Sequence, residues 1–308
     1  MEGNDLGPER AHGTAFNEAW ATHRNYLLNI AYRMVGSFSE AEDLVQEAYS
    51  RLLRTDDGGL DDIRGWLVVV VTRLSLDHLR SARVRRESTF GPWLPEPLAL
   101  QVGVGADPAD VVTLDESVRM ALLIVLEQLT PAERAVFVLH DAFQFTFEEI
   151  ANIVERSPAA CRQLGSRARR AIRAGSAERR TDVDVAELRH VAERFIAACS
   201  TGNVHALLEV LDPDVVGWAD MDGMKAAGPQ PTIGADDVAQ GAMRLFGTRS
   251  AARLTLAEVN GEAGIVVAVR RRPIAVIVLT VRDELITAIY AIVDPKKLRH
   301  VHVSAEAL

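Results

Sequence analysis

Apolar residues recur at helical spacing through the first half of the chain and crowd into short β-rich runs near its end, so two kinds of architecture follow one another. Between Phe16 and Arg54 the spacing of Leu27, Ile30, Ala31 and Met34, then of Leu44, Val45, Ala48 and Leu52, predicts two helices. Gly36-Ser37-Phe38-Ser39 interrupts them. Ser39 and Glu42 have capping-box spacing, which predicts the second start at Ser39. An acidic loop, Thr55 to Asp62, leads to one long helix over Ile63 to Arg86, with Ile63, Trp66, Leu67, Val70 and Leu74 on its buried face. Prolines and glycines from Thr89 to Pro108 break the pattern and predict a linker. Helical spacing resumes over Val111 to Leu129, halts at Thr130-Pro131, continues to His140, and returns over Phe147 to Val154 and Ser157 to about Ala174.

Beyond Thr181-Asp182 the pattern changes. Val185 to Ser200, Val204 to Leu211 and Thr232 to Phe246 read as helices. Four β-rich runs follow, at Ala252 to Val259, Gly264 to Arg270, Pro273 to Val281 and Leu285 to Val293. Helices followed by strands predict an α+β domain with a curved antiparallel sheet. The expected fold is therefore multidomain: two all-α domains over residues 1–88 and 111–180, a linker over 89–110, and an α+β domain over 183–308.

Composition adds exclusions. No stretch approaches the roughly 20 apolar residues of a membrane span, and the polar start does not resemble a signal peptide, so the chain is expected to be cytoplasmic and to have no membrane partner. Cys161 and Cys199 fall in different predicted helices, and no His/Cys cluster has metal-ligand spacing, so neither disulfide, metal nor cofactor is expected. The net charge of −9 argues against nucleic acid as a partner until its distribution is considered. Five arginines (Arg73, Arg80, Arg83, Arg85, Arg86) accompany one acid, Asp77, between positions 73 and 86, and eight arginines accompany only Glu178 from Arg156 to Arg180. Two basic stripes thus sit in an acidic chain.

The second stripe belongs to a specific arrangement. Ile150, Ala151 and Val154 share a helix face, and Ala151 is small enough for a crossing helix. Ser157 is a favoured N-cap and Pro158 suits a first turn, so a new helix begins where a recognition helix should. Its leading turns present Ala159, Ala160, Arg162 and Gln163, types that approach and read base edges. Arg167, Arg169, Arg170 and Arg173 suit phosphates. In the first stripe Arg73, Asp77 and Arg80 have the spacing of an intrahelical ion-pair ladder, which leaves Arg83, Arg85 and Arg86 as the excess charge.

These residues carry a resemblance. Ala41-Glu42-Asp43-Leu44-Val45-Gln46-Glu47-Ala48-Tyr49, Gly65-Trp66-Leu67, Asp77-His78-Leu79-Arg80 and Leu129-Thr130-Pro131-Ala132-Glu133-Arg134 before the helix-turn-helix resemble regions two and four of extracytoplasmic-function sigma factors, over roughly residues 16 to 175. The resemblance implies RNA polymerase core and promoter DNA as partners. Asp43, Gln46 and Glu47 would meet the clamp helices of the polymerase β′ subunit; Arg73, Arg80, Arg83, Arg85 and Arg86 would lie near the minus-ten element; and the helix from Ser157 through Arg162, Arg167 and Arg170 would read the minus-thirty-five element.

The string Trp93-Leu94-Pro95-Glu96-Pro97 resembles a signature of the subgroup with a fused SnoaL-like domain, a cone-shaped α+β barrel of the NTF2-like superfamily. Its companion motifs correspond to Asp222-Gly223-Met224-Lys225 and Val293-Asp294-Pro295-Lys296-Lys297-Leu298, the first with Met where the pattern has Gly, the second with Asp and Pro exchanged. A Trp and a Leu in a Pro-stiffened linker are expected to dock on the third domain and regulate the factor in cis. Such barrels often enclose a pocket, so a small-molecule ligand is a further expected partner, with His190, His205, Trp218, Asp220 and Asp222 as candidate contacts. Without an evident base or nucleophile the chain is not expected to be an enzyme. The alternatives are a ligand-sensing helix-turn-helix factor that works without polymerase core, or a cyclase-like or isomerase-like enzyme fused to DNA-binding helices.

Overall fold

The computed structural model describes residues 8–55, 62–86, 94–100, 119–179, 185–220, 231–248 and 250–301. They pack as two compact units: Met1–Val84 with Leu129–Arg169, and Arg85–Gln128 with Arg170–Leu308. Among the described residues no helix is long and apolar enough to cross a membrane.

The first unit is helical. Helix α1 (Pro8–Val35) and helix α2 (Phe38–Leu52) form an antiparallel pair turned by Gly36, whose φ of 72° favours glycine. Leu27, Ile30, Ala31 and Met34 are buried against Ala41, Val45, Ala48 and Leu52. The cap of α2 is Ser37, whose hydroxyl accepts the Glu40 N–H, so the expected Ser39–Glu42 box does not form. Starting two residues earlier puts Phe38 edge-on to buried Tyr32, a contact that favours Ser37 over Ser39 as the cap.

Helix α3 (Ile63–Arg86) buries Leu67, Val68, Val71, Thr72, Ser75, Leu76 and Leu79. This corrects the expected stripe: Ile63, Trp66, Val70 and Leu74 are only half-buried. Val68 to Val71 are apolar all round the helix, so periodicity alone left the register open. The buried face runs through small hydroxyl residues instead, with Ser75 donating to the Val71 carbonyl.

Helix α5 (Pro131–Phe137) has a capping box from Thr130 and Glu133, and widens into a π turn over Val138–Ala142. Helix α6 (Phe147–Val154) repeats the device with Thr146 and Glu149, then stops at Glu155, whose left-handed φ of 57° turns the chain into helix α7 (Pro158–Arg179). The two helical segments join through buried Arg134, which donates to the Met34 carbonyl at 2.9 Å, and through the Tyr26–Phe143 edge contact.

The second unit holds the sheet. After strand β1 (Ala99–Leu100) and helix α4 (Met120–Leu126) come helices α8 (Val185–Thr201) and α9 (Val204–Leu208), strands β2 (Leu211–Asp220) and β3 (Thr232–Ile233), helix α10 (Ala235–Phe246), and strands β4 (Arg253–Val259), β5 (Glu262–Val269), β6 (Arg272–Arg282) and β7 (Leu285–Ile292). The strand order is β1-β4-β5-β6-β7-β2-β3. Phe195, Leu207 and Phe246 from the helical layer pack with Val215, Ile265, Ile277, Leu279 and Ile286 of the sheet. This is the expected α+β arrangement of helices packed on a sheet, with three corrections. The sheet is mixed, because β2 pairs with β7 in parallel. The expected helix Val204 to Leu211 ends at Leu208 and its last residue opens β2, because Leu211 pairs with Ile286 and Val215 enters the core. The expected helix from Thr232 begins only at Ala235: Thr232 and Ile233 pair with β2, and Gly234 makes the turn at φ 95°.

Three two-residue hairpins, Asn260-Gly261, Arg270-Arg271 and Asp283-Glu284, connect β4 to β7 with positive φ at both positions. That backbone matches strand twist and is easy for Asn-Gly, strained for Arg-Arg.

Candidate functional site

Helix α2 places Asp43, Gln46 and Glu47 opposite its buried stripe, on the outer side. Asp43 and Gln46 are exposed, and Glu47 is bonded to Arg51 at 2.9 Å. Behind them Glu42 pairs with Arg24 at 2.9 Å, and His78 of α3 approaches Glu40 at 3.1 Å. An acidic face on a braced helix results.

The helix-turn-helix is built from its caps. Ser157 accepts the Ala160 N–H at 3.2 Å, fixing the start of α7. Cys161, Gly165 and Ala168 turn inward, while Ser157, Ala159, Arg162, Gln163, Ser166, Arg167 and Arg170 are exposed and Ala160 half-buried. A Cβ on Gly165 would sit 3.4 Å from Val136, so the small residues set how closely α7 crosses its neighbours. Arg162 bonds Glu148 at 2.7 Å and lies over the Phe147 ring, a tether at an exposed site that holds the guanidinium forward. Arg169 differs from the expectation: it turns back to Asp141 at 3.2 Å, because its helix position faces the π turn. Thr146 holds the Glu149 carboxyl below its ordinary range by backbone and side-chain hydrogen bonds.

The first arginine stripe is divided. Arg80 pairs with Asp77 at 3.1 Å, one half of the expected ladder. Arg73 leaves it and donates to the carbonyls of Ile153 and Asn152, both at 3.2 Å, and pairs with Glu155 at 3.1 Å. The carbonyl end of α6 is the negative end of a helix and outcompetes one exposed aspartate. Arg83, Arg85 and Arg86 lie on the last turn of α3, and their side chains fall outside the described residues.

The second unit holds the linker string. Leu94, Pro95, Glu96 and Pro97 are all buried, Leu94 and Glu96 to 1 % exposure. Lys297 donates to the Leu94 carbonyl at 2.6 Å and pairs closely with Asp220. Both charged groups are nearly sealed, at 6 % exposure for Asp220 and 7 % for Lys297. Burial pushes the Asp220 carboxyl up, opposed by Lys297 and by a hydrogen bond from the Leu94 backbone, while Asp294 adds to the rise. Asp294 is buried and accepts the Lys296 and Lys297 N–H groups, which shapes the turn carrying Lys297; Pro295 is exposed. His300 lies 3.8 Å from Glu96. Trp93, Asp222, Gly223 and Lys225 lie outside the described residues.

Sequence reasoning placed Asp220 among ligand contacts, whereas it holds Lys297, and it assigned no role to Lys297 although that residue stood inside a quoted motif. It also missed Asn260, which bonds Leu98. The Asn260-Gly261 pair was a readable hairpin signal, but the bond to the linker was not. His190 and His205 are exposed on α8 and α9, and Trp218 is half-buried on β2. Among the described residues no group of His, Cys, Asp and Glu could hold a metal. Cys161 is fully buried with its thiol pushed up by desolvation; Cys199 is pushed up to about 12 by burial.

Comparison with known proteins fits this layout. Residues 19–85 match the model described as Sigma-70 region 2, and residues 119–172 that described as Sigma-70, region 4. "Probable ECF RNA polymerase sigma factor SigI" of Mycobacterium tuberculosis is 43 % identical over 91 % of this chain and 93 % of its own length. "ECF RNA polymerase sigma factor SigJ" of the same species is 39 % identical over 89 % of this chain and 90 % of its own. The crystal structure of that SigJ superposes with a TM-score of 0.72 at 34 % identity, over 92 % of this chain and 98 % of the other.

Proposed function

The chain belongs to the extracytoplasmic-function family of RNA polymerase sigma factors, and from that premise we propose that it binds polymerase core and directs promoter recognition, with the third domain regulating it in cis through the linker. The observation that carries the promoter reading is the start of α7: a capped helix with Ala159, Arg162 and Gln163 exposed over a buried small-residue seam. In this reading these side chains meet the minus-thirty-five element, and Arg167 and Arg170 meet its phosphates. Asp43, Gln46 and Glu47 meet the clamp helices of core. Arg80, with Arg83, Arg85 and Arg86 beyond it, serves the minus-ten element, and Arg73 joins them on release from α6. The cis regulation draws support from the burial of Leu94 and its carbonyl's bond to Lys297.

Transcription reconstituted with purified core tests this. The intact chain yields a core-dependent transcript, Arg162→Ala with Gln163→Ala abolishes preference for the cognate upstream element, and Leu94→Ala changes yield on the same template. No transcript and no affinity for core would refute the reading.

A further inference from the structure

The hairpin tip between β4 and β5 touches the connector at both ends. On one side the Leu98 N–H donates to the Asn260 side-chain oxygen at 2.9 Å, and the Asn260 N–H donates to the Leu98 carbonyl at 2.8 Å. Strand β1 continues this contact, with Ala99 opposite Val259 and Leu100 opposite Glu258. On the other side Glu262, two residues along the same tip, pairs with Arg119 at 3.5 Å. Their side chains are only 17 % and 23 % exposed. Arg119 opens the region 4 match and caps α4. Asn260 is 1 % exposed and sits in the left-handed conformation its turn requires, so the turn itself sets the backbone that carries the group reading Leu98.

We propose that Asn260 and Glu262 staple the two ends of the connector between regions 2 and 4, and that they are positioning residues which limit how far apart the two promoter-reading modules can move. This rests on the cis-regulatory reading above. Fully extended, the chain from Arg86 to Arg119 reaches about 110 Å, but about 60 Å when it is routed through the tip. Elements about 25 base pairs apart are separated by about 85 Å on B-form DNA at about 3.4 Å per pair. The free connector exceeds that distance and the stapled one does not. Letting go of Leu98 or Arg119 therefore lengthens the reach available for occupying both elements at once. Because both contacts close one loop on one rigid turn, each raises the effective concentration of the other.

The test uses the full chain. Glu262→Gln removes the ion pair, and Asn260→Gly removes the side-chain acceptor while keeping a residue suited to the turn. Hydrogen exchange is followed at Leu98 and across residues 119–126. Glu262→Gln speeds exchange at the distant Leu98 amide, and Asn260→Gly speeds it over 119–126, each by about five- to tenfold, as for one lost hydrogen bond. Arg119→Glu combined with Glu262→Arg returns Leu98 to the wild-type rate. At limiting protein, both single variants give more core-dependent transcript than wild type. Exchange at the far end unchanged in either variant, or transcript no higher than wild type in both, overturns the staple. Failure of the underlying reading is seen separately, as absence of any core-dependent transcript from the wild-type chain.

Discussion

The recognition helix and the linker clamp both rely on cationic side chains, but they place them in opposite surroundings. On α7, Arg167 and Arg170 stand in solvent, and Arg162 reaches Glu148 across an exposed surface. In the clamp, Lys297 and Asp220 are sealed around a backbone carbonyl. Exposed charges are screened by salt and keep their freedom to meet phosphate, so a DNA-reading face can change partners without refolding. A sealed pair interacts strongly but loses its hydration, and it tolerates the loss of neither partner. One surface is suited to reversible contact and the other to a fixed attachment, and substitutions should separate them.

The largest effect is expected in the clamp. Lys297→Met leaves Asp220 buried beside Asp294 without its cation, and should cost about 3–5 kcal/mol of third-domain stability in chemical denaturation of the full chain. A loss under about 1 kcal/mol would place the pair with ordinary surface bridges and erase the contrast.

On the recognition helix, Arg162→Ala should leave stability nearly unchanged and cost about 1–3 kcal/mol of discrimination at one base pair. Competition between cognate and singly substituted sites reads this directly. Arg170→Ala should instead weaken all sequences alike and reduce the salt slope by about 0.9. Sequence-dependent losses at Arg170 would reverse the roles given to the two arginines.

The pH response sharpens the comparison further. Burial raises the Asp220 carboxyl above its ordinary value, so the unfolded chain ionises it at lower pH than the folded chain does. Its contribution to stability is therefore fully present below the ordinary aspartate range and is lost as pH rises through the raised value. Melts of the wild-type chain should show this decline relative to Asp220→Asn; parallel curves would remove Asp220's burial as the cause. The smallest effect belongs to Arg169→Ala, which should cost roughly 0.2–1 kcal/mol of stability and leave the salt slope of DNA binding unaltered, because Arg169 faces Asp141. A reduced slope would return Arg169 to the phosphate-facing set.

The helical surfaces were legible because their parts are close in sequence. Ser157, Pro158, Arg162 and Gln163 lie within two turns, and a capped helix presents them together whatever else the chain does. Asp43, Gln46 and Glu47 follow the same logic on α2. Where the apolar pattern was ambiguous, at Val68 to Val71, the reading of α3 rotated by part of a turn. Arg73 was misread for a related reason: Asp77 is its neighbour in sequence, but the α6 carbonyls are its neighbours in space.

The sequence alone determined the helical modules, the two basic stripes, the cap of α7, and the change from helical modules to an α+β domain. These follow from periodicity and local hydrogen bonding, which act over a few residues. Only the tertiary structure decided that β2 joins β7 in parallel, that Lys297 and Asp220 meet at Leu94, and that Asn260 and Glu262 hold Leu98 and Arg119. Such contacts join positions far apart in the chain, and their energy comes from burying polar groups together, which no local pattern specifies.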